Sequence, residues 1–194
     1  MTPHEQPPQP DRRHAGAVTP SPWVVRFAPL APAGGAVLDL ACGTGRHGRH
    51  FLARGHEVVF LDRDVSLVAD LAGQDGVEIV ETDLEAGAGL PFGGRRFAAI
   101  VVTNYLWRPL LPALAAAVDR GGVLIYETFG LGNEAYSRPR NPDHLLRPGE
   151  LFAAFGGVLR VVAYECGLRY DPKPRVIQRI AAVNSDQPVP IEPE

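Results

Sequence analysis

The residues best equipped for chemistry are three aspartates and a run of glycines. Gly43-x-Gly45-x-x-Gly48 lies in the stretch VLDLACGTGRHGRHFLARG, with Asp39 just ahead of it and Asp62 and Asp83 downstream. Glycines at this spacing let backbone approach a ligand, and the start of the following helix offers unpaired N–H groups. A carboxylate at Asp62 can accept both hydroxyls of a ribose. One at Asp83 can accept an exocyclic amine while Leu84 backs the ring. A carboxylate at Asp39 would repel a pyrophosphate and suits a cationic ligand. Its bland alternative is a structural acid capping the glycine loop.

The glycines and Asp62 alone fit a nicotinamide dinucleotide equally well. Asp39 and Asp83 favour S-adenosylmethionine, which carries a sulfonium, an amino group and a carboxylate but no phosphate. A nicotinamide-dependent oxidoreductase is the rival reading, although the chain shows no Tyr-x-x-x-Lys pair. A non-catalytic binding protein on the same fold is another.

These acids act only if strands present them on one edge. Short β-type runs cover residues 36–41, 57–62 and 77–83, so each aspartate falls at or near a strand end. Helical stretches follow the first two, RHGRHFLAR stopped by Gly55 and VSLVADLAG with Asp64 as N-cap. FAAIVVTN (97–104) and GVLIYETF (122–129) read as a fourth and fifth strand, separated by the helical PLLPALAAAVDR. Their continuous apolar character predicts burial on both faces of a parallel sheet. RPGELFAAFGG predicts a helix with Pro148 in its first turn. VLRVVAYECG and RVIQRIAAVN are joined too closely for a helical crossover and predict an antiparallel hairpin. The expectation is a doubly wound, Rossmann-like α/β sheet of seven strands, mostly parallel with an antiparallel last strand.

Composition bounds the rest. A chain of 194 residues with 45% apolar content supports one domain with a full core. The reading is a disordered lead over 1–18, a single domain over 19–184 and a flexible tail over 185–194. No apolar run is long enough for a membrane span, and the N-terminus lacks a secretory core. The net charge of -3 argues against nucleic acid as a partner. Cys42 and Cys166 are too far apart for a CxxC zinc site and read as reduced thiols in a cytoplasmic protein. His47 and His50 alone make a weak metal pair, and no metal is expected.

VLDLACGTGRHG, VVFLDRD, VETDLE, FAAIVVTNYLWRPLLPAL and GGVLIYETF resemble, in order, the motifs of class I S-adenosylmethionine-dependent methyltransferases. DLACGTGRHG is similar to the small tellurite-resistance-type and thiopurine-type members, which act on small or soft nucleophiles. The resemblance implies that Asp39, Gly43 and Gly45 line the methionine end, Asp62 the ribose and Asp83 the adenine. The cofactor set then comprises these with Ala41, Arg63, Leu84 and Asn104. Asn104, Tyr105 and Glu127 are the catalytic candidates at the ends of strands four and five, with His144 as an alternative base. Trp107, Arg108, Arg138 and Arg140 are the candidates for a small, soft or anionic acceptor. TNYLWRP lacks the prolines of an amino-group-methylating motif. LEAGAGLPFGGRR replaces the usual helix between strands three and four, which opens one face to a possible homodimer contact. The polar segment 130–146 reads as a mobile lid, and Trp23 as a cover for the cofactor or a core residue.

Overall fold

The computed structural model describes residues 19–87 and 89–190. The expected lead over 1–18 and the end of the tail lie outside the described residues. Seven strands form one sheet: β1 (Val37–Leu40), β2 (Val58–Asp62), β3 (Val77–Glu81), β4 (Phe97–Thr103), β5 (Val118–Phe129), β6 (Arg160–Arg169) and β7 (Arg175–Val183). Their order is β3-β2-β1-β4-β5-β7-β6. The pairs among β1 to β5 are parallel, and β7 runs antiparallel to both β5 and β6.

Side-chain alternation assigns each strand residue to one of two cores. Val37, Val101 and Ile125 face α1 (Pro22–Phe27), α2 (Arg46–Leu52) and a 3-10 stretch at Ser66–Leu71. Leu38, Val102 and Tyr126 face α3 (Leu111–Ala117) and α4 (Glu150–Phe155). The same alternation puts Asp39, Thr103 and Glu127 on the side of α1 and α2. α2 sits close on β2 because of Gly48. A Cβ there would stand 2.2 Å from the Phe60 ring, an overlap that costs about 1–3 kcal/mol when a core must shift to absorb it.

Four local readings are corrected. α1 was not foreseen: Ser21 caps it by accepting from Trp23 N–H (3.2 Å), and Pro22 occupies its first turn. The stretch after Asp64 is 3-10 rather than α-helical, although Asp64 does accept from Ser66 N–H (3.0 Å). The helix expected over PLLPALAAAVDR stops at Ala117, and β5 begins at Val118. Buried, β-branched Val118 pairs with Phe97, and glycine at 122 permits the bulge, since a Cβ would lie 2.8 Å from Phe97 O. Pro148 precedes α4, which starts at Glu150 after Gly149 (φ 80°). Between β3 and β4 there is only a 3-10 turn at Leu84–Ala86, and Leu84, Leu90 and Phe92 fold onto the core there. Among the described residues no helix is long and apolar enough to cross a membrane.

Candidate functional site

The carboxyl ends of β1 to β5 open onto a cleft of about 850 Å³. Open α/β sheets bind ligands at this edge. Ala41, Gly43, Asp62, Arg63, Asp83, Leu84, Asn104 and Tyr105 all line it, as the sequence suggests. Two of them are the described non-glycine residues with positive φ, Ala41 (53°) and Asn104 (55°). Non-glycine residues held in this region persist where surrounding structure enforces them, commonly at ligand sites.

The loop after β1 is shaped by Asp62. Its Oδ2 accepts from Gly43 N–H at 2.9 Å, and its Oδ1 from Asp64 N–H at 3.2 Å. A carboxylate offers about four lone-pair directions, so capacity remains for a ligand. Asp83 caps the turn behind it, accepting from Glu85 N–H (2.9 Å), with Leu84 beneath. Burial and the neighbouring acids Glu85, Asp83 and Asp62 push the Tyr105 hydroxyl up, so at neutral pH it stays protonated and can donate a hydrogen bond. Cys42 also lines the cleft. Burial, reinforced by Asp39 and Asp62, pushes its thiol far above the usual value, which keeps it in the neutral thiol form.

Several sequence candidates stand elsewhere. Asp39 is buried (1% exposed) and absent from the cleft wall; its Oδ2 accepts from Gly48 N–H at 2.8 Å. It ties α2 to β1, because its alternation places it beneath that helix. Burial pushes its carboxyl up to about 7 despite the Gly48 bond and Arg46. Gly45 (φ 69°) is absent from the cleft wall, and a Cβ there would meet Val68 at 2.7 Å and Phe60 at 2.9 Å. Glu127 lies under α1, where Oε1 accepts from Ser21 Oγ–H (2.6 Å) and Oε2 pairs with Arg179 (3.5 Å). Arg179 also bridges to Glu165 (2.6 Å) and lies over the Trp23 ring (4.4 Å). Trp23 is thus a core residue, its Nε1–H bonded to Ile180 O. Glu127 is removed from the catalytic candidates on this geometry.

Trp107 packs against the core below α3 and does not reach the cleft wall. Arg108 is occupied by Glu150 and two backbone carbonyls. Arg138 and Arg140 are exposed, and Pro139 between them is the residue that reaches the wall. The segment expected as a mobile lid is hydrogen-bonded at its base and within its own turn. Leu131 N–H donates to Leu146 O, and Leu146 N–H to Phe129 O (both 2.9 Å). Buried Asn133 binds Ser137 O, Pro139 O and Val176 N–H.

The cleft also contains residues outside the site set read from the sequence: Thr44, Arg46, Thr103, Thr128 and Pro139. Arg46 was legible as an arginine opening α2, where an acid would suit the dipole better; among the described residues no carboxylate forms a salt bridge with it. Its neighbour His47 is structural. Ser21 N–H donates to Nε2 (3.2 Å), and burial, with Arg46 and His50 nearby, pushes the imidazole down to about 3.

Residues 37–122 match a family model described as a methyltransferase domain. No curated protein sequence matches the chain. Among solved structures, TehB from Haemophilus influenzae aligns with a TM-score of 0.67 at 15% identity, over 83% of this chain and 61% of that one. The chain therefore spans about three fifths of TehB's length. A TehB-like SAM-dependent methyltransferase from Corynebacterium glutamicum aligns at 0.56 and 22% identity, over 84% and 86% of the two chains. The glycopeptide N-methyltransferase MtfA, complexed with S-adenosyl-L-homocysteine, aligns at 0.57 and 20% identity, over 83% and 88%. At these identities the likeness is one of fold. Residues 37–122 are thus similar to a methyltransferase domain, the whole chain shares the fold of these S-adenosylmethionine-dependent methyltransferases, and the acid-lined cleft lies at the ends of the matched strands.

Proposed function

We propose that this protein transfers the methyl group of S-adenosylmethionine to a small, soft or anionic acceptor. The observation that carries the reading is the pair of acids that line the cleft after successive strands, Asp62 and Asp83, with Asp62 bonded to the Gly43 turn. The donor set fits the cofactor: Asp62 for the ribose hydroxyls, Asp83 and Leu84 for the adenine, and Arg46 for the methionine carboxylate. Asp39 contributes from beneath, as the tie that shapes the loop.

The bound sulfonium supplies an already activated methyl group. The chain's own work is alignment and exclusion of water. An acceptor held in line would take the methyl group as the sulfur–carbon bond broke, giving S-adenosylhomocysteine, with any acceptor proton passing to a base or to water. Asn104, Tyr105, Thr103 and Thr128 border the acceptor side, facing Pro139 and His144 of the loop. A thiolate or oxyanion needs no base there. A hydroxyl would, and His144 is the candidate with access to the cleft. Exposed Arg138 and Arg140 flank Pro139 and are the cations available to an approaching anion.

Methyl-labelled cofactor incubated with panels of thiols, chalcogen oxyanions and small carboxylates tests this. Label should pass to a soft or anionic acceptor, with equimolar S-adenosylhomocysteine formed. Cofactor binding without transfer to any panel member would favour a non-catalytic binding protein instead.

A further inference from the structure

We infer that Arg108 is a positioning residue, whose guanidinium holds the segment that carries His144 in place at the cleft. Arg108 follows Asn104, Tyr105 and Leu106, the residues that line the cleft directly after β4. Its Nε–H and Nη2–H grip both oxygens of Glu150 (2.6 and 3.0 Å). Nη1–H donates to Asp143 O (2.7 Å) and Nη2–H to Leu145 O (2.8 Å). Those two carbonyls flank His144, which lines the opposite wall. One side chain therefore ties the wall after β4 to the wall after β5.

An exposed Arg–Glu pair by itself contributes little. Two features separate this one from such a pair. Glu150 is partly enclosed and accepts from Arg147 N–H as well (2.7 Å), so it is a fixed anchor. Burial alone would push its carboxyl up, yet the hydrogen bonds from Arg108 and Arg147 hold it below the usual carboxylate value. The two carbonyl bonds also demand a planar fork, which an ammonium cannot supply. The loop hangs between two pins. Asn133 fixes residues 137–139 from one end, and Arg108 fixes 143–145 from the other. Losing Arg108 frees the segment that carries His144 while the base of the loop at Leu131 and Leu146 stays closed.

The test uses the full-length protein with S-adenosylhomocysteine as probe, and only its last readout rests on the cofactor reading above. In Arg108→Ala, amide exchange over residues 141–146 should rise at least tenfold, while exchange in β4 and β5 stays unchanged. Arg108→Lys should recover only part of that protection, and Glu150→Gln should loosen the segment by a smaller factor. Calorimetric affinity for S-adenosylhomocysteine should stay within about threefold of wild type. The His144 ring resonances should shift on saturating wild type with the probe, and this shift should vanish in Arg108→Ala. Unchanged exchange over 141–146 in the alanine variant, or full recovery by lysine, would overturn the clamp. A ligand-induced His144 shift that persists in Arg108→Ala would overturn the positioning role. Absence of any heat with wild type would count against the cofactor reading alone, since the exchange result stands without it.

Discussion

Four of the carboxylates at or near the carboxyl ends of the parallel strands divide into two pairs. Asp62 and Asp83 face the cleft on β2 and beyond β3. Asp39 and Glu127, on β1 and β5, are sealed beneath α2 and α1. Residue type and strand position are alike in the two pairs. The difference lies in what packs above them. No helix covers the cleft-facing pair, whose backbone partners lie within their own turns (Asp64, Glu85) or the facing loop (Gly43). The sealed pair is claimed by groups packed over it, Gly48 on the following helix for Asp39 and Ser21 with Arg179 for Glu127. An acid at a strand end is a ligand group only where its face of the sheet stays open.

The sealed pair should respond mainly in stability. In Arg179→Ala, Glu127 keeps Ser21 but loses its cation, with both partners about nine-tenths buried. Removing one partner of a buried pair costs about 3–5 kcal/mol. The 3.5 Å separation puts the expectation near the lower end, a fall in melting temperature of roughly 6–12 °C at about 2–4 °C per kcal/mol. Affinity for S-adenosylhomocysteine should change by less than about threefold. A stable variant with lost affinity would move Glu127 and Arg179 into the ligand site.

The open pair should respond mainly in binding. Charge-assisted hydrogen bonds from a ribose to Asp62 are worth about 1.5–3 kcal/mol, so Asp62→Ala should weaken cofactor binding by roughly ten- to a hundredfold. Asp62→Asn keeps an oxygen for Gly43 N–H and should bind more tightly than the alanine variant. If apo stability drops and affinity holds, Asp62 is only a loop tie.

The smallest effect is a pH slope. The Asp39 carboxyl, raised from 3.8 to about 7, contributes stability that is present below pH 4 and lost as pH rises through 7. The His47 imidazole, lowered from 6.5 to about 3, contributes stability that is present above pH 6.5 and lost as pH falls toward 3. Between pH 4 and 6.5 the two slopes oppose each other, each at most about 1.4 kcal/mol per pH unit. Asp39→Asn removes the falling slope, so the variant should gain on wild type as pH rises from 4.5 to 7. Urea unfolding at a series of pH values measures this. A constant difference between variant and wild type would mean that Asp39 is not protonated in the fold.

The open pair was legible in the sequence because its signals are local. Asp62 and Asp83 end apolar runs of strand length, and a strand buried on both faces announces itself as a continuous run, as in β4 and β5. The hairpin of β6 and β7 was legible from the shortness of its connection. The sealed pair was legible only in part, since Asp39 could be read as a structural acid at the glycine loop but Glu127 could not be read as one. Glu127 takes its proton donor from Ser21, 106 residues earlier, through a six-residue helix with no periodic signal of its own. Arg108 finds Glu150 across 42 residues, so its sequence neighbours pointed instead to substrate. The loop over 130–146 looked too polar to be fixed. Its order comes from Asn133, a polar residue buried by satisfying its bonds with backbone on both sides.

The most direct measurement is calorimetric titration of the wild-type protein with S-adenosylhomocysteine and, separately, with NAD. The account predicts one saturable site for S-adenosylhomocysteine and no heat from NAD at the same concentrations. It also predicts slower amide exchange at 41–44, 62–63 and 83–85 in the presence of S-adenosylhomocysteine. Saturable NAD binding with no signal from S-adenosylhomocysteine would contradict the assignment of Asp62 and Asp83 to the methyl donor.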